Sequence, residues 1–172
     1  MTEMLHRQMR HDIWATERLI AHLRKLSAAQ LDLAATGTYG TIRGTLVHIV
    51  SADEGYLVRL LGVKLHDTHF TAAGTADLDE IATHLGHVKA GVDRLFSRGT
   101  FDGERVIADT PLRRPDQPRY EMAAWVPAAQ FVYHGVDHRS QIDTILSTHG
   151  LETIDLQVWP FAIELGATRE AK

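Results

Sequence analysis

An all-α fold, a four-helix bundle, is predicted by three observations: four long segments with apolar residues at helical spacing, capping and stop residues at their ends, and long connections between them. Only the stretch between the third and fourth helices departs from helical periodicity, and it reads as a short hairpin or extended excursion. No internal repeat or linker divides the chain. Its 172 residues are read as one domain, 1–172, large enough to bury a core without staples.

The first helix is expected from about Thr2 to Leu26, with Met4, Trp14, Leu19, Leu23 and Leu26 among its apolar positions. Ser27-Ala28-Ala29-Gln30 has capping-box form and predicts a short extra turn. A Gly/Thr-rich connection, 36–40, leads to Thr41, which can cap a second helix that Gly62 closes. Leu46, Val50, Leu57 and Leu61 form that helix's apolar stripe. Residues 63–75 read as loop.

Asp77 to Glu80 has capping-box form and opens the third helix, which Gly99 is expected to end. Leu78, Ile81, Leu85, Val88, Val92, Leu95 and Phe96 are its inward positions. Two short runs, 105–108 and 119–122, flank a proline-rich turn. Pro127 lies near the start of the fourth helix, which is expected to end at Gly150. The patch Val158-Trp159-Pro160-Phe161 is expected to pack back onto the bundle.

Composition removes several function classes. A net charge of −4 argues against a nucleic-acid or anionic-membrane surface. The one dense basic cluster, Arg113, Arg114 and Arg119, is broken by Asp116 and prolines and reads as a solvated turn. Without cysteine, any metal must be held by His, carboxylate, carbonyl or water. No apolar run approaches the ~18 residues of a membrane span, and the N-terminus lacks a signal-peptide layout. The expected location is cytoplasmic.

The segment Tyr133 to Ile142 carries the most information. At ~100° per residue, His138 lies about 40° from His134, and Gln141 about 20° from it on the other side. Phe131, Ile142 and Ile145 share that arc, so both imidazoles look into the core. Arg139, Ser140 and Asp143 fall on the opposite side. Eleven histidines placed at random would give roughly 0.7 pairs at this spacing, so direction rather than spacing carries the argument. A divalent metal is the leading occupant, with hydrogen-bonded core histidines as the alternative.

A third ligand must come from another helix, and His48 is the best candidate. Its arc holds the small residues Thr45, Ala52 and Gly55, which would leave room for an ion. That arc also lies opposite the apolar stripe, so periodicity leaves His48 divided between inward and solvent-facing. His84 and His87 are three apart and could also chelate, but they flank Leu85 and read as exposed. His66 and His69 lie in a loop and read as non-ligands, while His6, His11 and His22 lack partner spacing. Asp53 and Glu54 diverge from His48 by about 140° and about 120°, against a direct general-base role. Trp14 and Tyr56 read as core aromatics, with a pocket wall as the lesser alternative. No nucleophile triad, phosphate loop or His-Glu-x-x-His is present.

These residues resemble the DinB-like (YfiT-like) metal-binding four-helix proteins nearly end to end. The carriers are Asp12–Ile20 in the first helix, Gly40–Ile49 with His48, His134-x-x-x-His138-Arg139-x-Gln141-Ile142, and Asp155-Leu156-x-x-Trp159. Tyr133 departs from the small polar residue common before the first histidine, with a difference in pocket shape or in hydrogen bonding to the ligands the expected consequence. The resemblance implies up-down-down-up connectivity, a homodimer, and nickel or zinc, among other divalent ions, on His48, His134 and His138. It settles His48 as inward and places Gln141 and Arg139 near the site without a catalytic role.

The leading functional expectation is a metal-dependent enzyme acting on a small-molecule substrate, a low-molecular-weight thiol by resemblance to thiol transferases and isomerases. Hydrolysis through activated water stays open. The alternatives are a non-catalytic stress-response protein with a structural metal, and a metal-free helical interaction module. No nucleic-acid or membrane partner is expected.

Overall fold

The computed structural model describes residues 2–67, 70, 75–97, 99–108 and 120–168. Four long helices form the body: α1 (Thr2–Leu23), α3 (Ile42–Leu61), α4 (Leu78–Phe96) and α5 (Trp125–Thr148). Shorter elements are α2 (Ala28–Leu31), β1 (Val106–Ala108), β2 (Glu121–Ala123) and α6 (Val158–Glu164). Among the described residues, no helix is long and apolar enough to cross a membrane.

Helix ends follow local chemistry. Leu26 falls outside α1 because its N–H bonds to Leu23, three residues back, tightening the chain into a turn. Ser27 and Gln30 then complete the expected capping box of α2. Thr41 accepts from the Gly44 N–H at the start of α3, and Gly62, at φ 70°, closes it in the left-handed conformation. Asp77 accepts from the N–H groups of Asp79 and Glu80 to open α4, which stops at Phe96, three residues before Gly99. Helix α5 begins two residues before Pro127 without a capping side chain. Carbonyls of Gly103 and Arg105 accept from the Trp125 and Ala124 N–H groups instead, so the hairpin caps the helix.

Contacts along the helices establish the topology. Arg43 reaches the carbonyl of Ala76, and Gly91 lies against Leu57, so α3 and α4 run parallel. Arg24 meets Asp79 while Arg10 meets Asp93, which makes α1 and α4 antiparallel. Arg139 bonds Asp12 and His22 bonds the Glu152 carbonyl, so α1 and α5 are parallel. The result is the expected up-down-down-up bundle, in which α1 and α5 each lie beside one member of the parallel pair α3–α4.

The core contains Met9, Leu19, Leu23, Leu46, Val50, Leu57, Ile81, Val88, Phe131, Ile142 and Ile145, matching most of the expected stripes. Six expected apolar positions depart from it, Trp14 and Leu26 being partly buried. Met4 is exposed, and Leu61, Leu95 and Phe96 are only partly buried. The expected hairpin forms with register Val106↔Ala123 and Ile107↔Met122, shifted by a residue or so from the sequence reading. Of the C-terminal patch only Phe161 is buried; it meets Trp14, while Val158 and Trp159 face solvent. The basic cluster Arg113, Arg114, Arg119 and the residue His69 lie outside the described residues.

Candidate metal centre

The antiparallel contact of α3 and α5 brings His48 opposite His134 and His138. The three ring centroids lie 4.7, 4.7 and 4.4 Å apart, forming a nearly equilateral triangle. The Nε2 atoms of His48 and His134 face each other at 2.9 Å, and one ligand-competent atom from each of the three rings lies within 4.8 Å of the others. His48 therefore points inward, the alternative that periodicity alone left open. Of its small neighbours, Thr45 is fully buried and Ala52 and Gly55 are half-buried.

Two of the rings, His134 and His48, are pushed toward their neutral, ligating form. Burial first, then the nearby His138 and His48 rings, lowers the pKa of His134 to about 4. Burial and His138 also lower His48. The Nδ1 of His134 is buried without a hydrogen-bond partner among the described residues. Gln141 fixes the third ring: its Oε1 accepts from His138 Nδ1 at 3.3 Å, leaving Nε2 as the free nitrogen. The same oxygen accepts the backbone N–H of Tyr39 at 2.8 Å, and Gln141 Nε2 donates to Asp137 at 3.0 Å.

Tyr39 is the feature that sequence reading missed. Its ring stacks on His48 at 4.0 Å and 13° and meets His138 edge-on at 5.2 Å, roofing the triangle from the connection before α3. A lone aromatic in a Gly/Thr-rich loop carries no periodic signal. Tyr56 stands edge-on to His134 at 5.7 Å, so it walls the site as well as packing the bundle. Trp14 is elsewhere, donating to Glu164 and packing on Phe161. Tyr133 is 73% exposed and shapes no part of the triangle, against the expectation drawn from its departure.

Beneath the triangle lies a buried charged group. Arg139, expected on the polar side of its helix, is buried and donates to Asp12 at 2.5 Å and to Thr16 Oγ1 at 3.0 Å. Asp53 is fully buried, and neither carboxylate oxygen has a hydrogen-bond partner among the described residues. Burial, reinforced by the Asp12 charge, pushes Asp53 well above the ordinary carboxylate range, so it is held protonated. One cation thus faces two buried carboxyls, both pushed upward by burial and Asp53 the more strongly.

The remaining histidines separate into two kinds. His11 and His22 meet the carbonyls of Leu156 and Glu152 at 2.9 and 2.7 Å, fastening the C-terminal segment to α1. His84, expected exposed, is 3% exposed because the α3–α4 contact covers it. A groove of about 730 Å³ is lined by His11, Val136, Arg139 and Trp159 among others and excludes all three triad histidines.

Helices crossing to place three imidazoles at one interior point define a bundle protein with a histidine-rich candidate metal site. The DinB family model matches residues 1–162, and the chain belongs to the DinB family. Its fold is similar to the crystal structure of a DinB-like protein from Bacillus cereus ATCC 10987. The TM-score is 0.64 and the identity 16%, with 89% of this chain and 95% of that chain covered, a likeness of fold. No curated protein sequence matches the chain.

Proposed function

We propose that this DinB-family chain is a metal-dependent enzyme whose divalent ion is held by His48, His134 and His138. The observation that carries the reading is the triangle itself: three imidazole donors, and no fourth His or carboxylate grouped with them among the described residues. Three protein ligands leave a coordination position open, the mark of catalytic rather than structural sites. Metal–nitrogen bonds of about 2.1 Å place neighbouring donors roughly 3.0–3.4 Å apart, close to the 2.9 Å between His48 and His134. An all-imidazole set without thiolate suits nickel or zinc.

A divalent ion there supplies Lewis acidity, lowering the pKa of a bound water or thiol and polarising a substrate oxygen. The chain's own residues do the positioning. Gln141 fixes the His138 tautomer, Tyr39 roofs the triangle, and Tyr56 closes the His134 side. With no cysteine in the chain, an attacking sulfur must arrive on a cosubstrate. A low-molecular-weight thiol is the substrate class to try first, with water as the competing nucleophile.

The test is elemental analysis of untagged protein, followed by assay of thiol conjugation to a small electrophile. Wild type is expected to carry metal and conjugate; His48→Ala, His134→Ala and His138→Ala should each lose both. Metal retained in all three variants removes the site. Metal bound without any metal-dependent shift in thiol reactivity leaves a structural tether between α3 and α5.

A further inference from the structure

We infer that the chain carries a second divalent-metal site, built by Glu54, His66, His84 and His87, closed and structural in type. One ligand-competent atom from each of these four residues lies within 4.8 Å of the others. Glu54 comes from α3, His84 and His87 from neighbouring positions on α4, and His66 from the connection between them. Glu54 Oε1 lies 2.7 Å from both His66 Nε2 and His84 Nδ1. The His66 and His87 rings pack at 4.0 Å, and Phe70 stacks on His84 at 3.8 Å and 18°, covering the cluster with an apolar wall.

Hydrogen bonding alone accounts for part of this arrangement, since one carboxylate oxygen can accept from two imidazoles. It does not account for His87, whose Nδ1 is sealed from solvent without a partner among the described residues. A side chain three residues from His84 on α4, grouped with three other donors and with a buried, unpaired polar atom, is what a fourth ligand looks like before the ion arrives. One carboxylate offsets half of a divalent charge, and four protein donors complete a tetrahedron. Four protein ligands close the coordination sphere, in contrast to the open triangle at His48.

The two clusters are separate. Glu54 follows His48 by six residues, ~9 Å along α3 and about 120° round it. An ion at Glu54 would pin the start of the α3–α4 connection to the parallel helix pair it joins. It needs nothing from the triangle.

Cobalt(II) is the probe, added to chelator-stripped, untagged full-length protein, with bound metal and visible absorption both read. Wild type is expected to take about two equivalents. His134→Ala/His138→Ala should keep about one, with the intense absorption of four-coordinate cobalt. Glu54→Gln/His87→Gln should lose about one equivalent together with the share of the absorption that the His134→Ala/His138→Ala protein keeps. Cobalt binding undiminished in Glu54→Gln/His87→Gln overturns the second site, as does a folded His134→Ala/His138→Ala protein that binds none. If wild type takes about one equivalent and only the Glu54→Gln/His87→Gln change removes it, the triangle fails and this site stands. Should a double variant lose its helical circular dichroism, His87→Gln alone decides: affinity is expected to fall about ten-fold or more, and unchanged affinity refutes the inference.

Discussion

Arg139 donates through Nη2 to Asp12 Oδ1 at 2.5 Å inside the bundle, one residue beyond the proposed ligand His138. The pair ties α5 to α1 at the level of the histidine triangle. Removing the cation leaves Asp12 buried beside Asp53 with nothing to offset either. Arg139→Gln is therefore expected to cost ~3–5 kcal/mol in urea unfolding, as breaking buried pairs does. A change within error would show that water reaches the pair.

Gly135 sits directly over this pair. A Cβ there would lie 2.7 Å from Arg139 Nη1 and 2.8 Å from Asp12 Oδ2, against groups whose hydrogen bonds allow little retreat. Gly135→Ala should destabilise by ~1–3 kcal/mol despite alanine's better helix propensity. An increase in melting temperature would contradict the packing.

Asp53 gives a pH signature. Its folded pKa is raised from 3.8 by burial and by Asp12, so folded and unfolded chains both hold the proton at low pH. As pH rises through the unfolded value, only the unfolded chain releases it, and stability falls until the folded carboxyl ionises too. Asp53→Asn removes that titration. The variant's stability relative to wild type should rise between about pH 4 and 7, measured by urea midpoints across the range. A constant difference would mean Asp53 is ionised in the fold.

His134 titrates in the opposite sense. Its folded pKa is lowered to about 4, so the unfolded chain takes up the proton first as pH falls. Metal-free protein should keep its full contribution above about pH 6.5 and lose it progressively toward pH 4. The loss should be shallower in His134→Gln and delayed when zinc is added. An identical pH profile for His134→Gln and wild type would rule this out.

Gln141 is a positioning residue in this scheme. Gln141→Ala frees both the His138 tautomer and the Tyr39 backbone, and zinc affinity by calorimetry should fall ~10–100-fold while the helical spectrum stays. Unchanged affinity would show that ring packing alone orients His138.

Much of this was legible in the sequence because it is periodic. Leu46, Val50 and Leu57 mark the buried face of α3, and Thr41, Gly62 and Asp77 announce helix ends through their own side chains or φ. The direction of His134 and His138 follows from the same arithmetic. Arg139 shows where that arithmetic stops. A polar residue is assigned to solvent until its partner is known, and Asp12 lies 127 positions away. Tyr39, Glu54 and His84 were hidden for the same reason: their partners sit on other elements, and no spacing along one helix encodes a contact between two. Pro127 marks the start of α5 to within two residues, but its cap was not legible because the hairpin, rather than a side chain, supplies it.

The oxygen that steadies His138 grips residue 39 by its main chain, leaving the phenol ring unanchored by that bond. The cover over the imidazoles is therefore mounted on one fitting and shaped by another. Exchanging the side chain at position 39 would reshape that cover without loosening the hinge-pin that keeps the donors aimed.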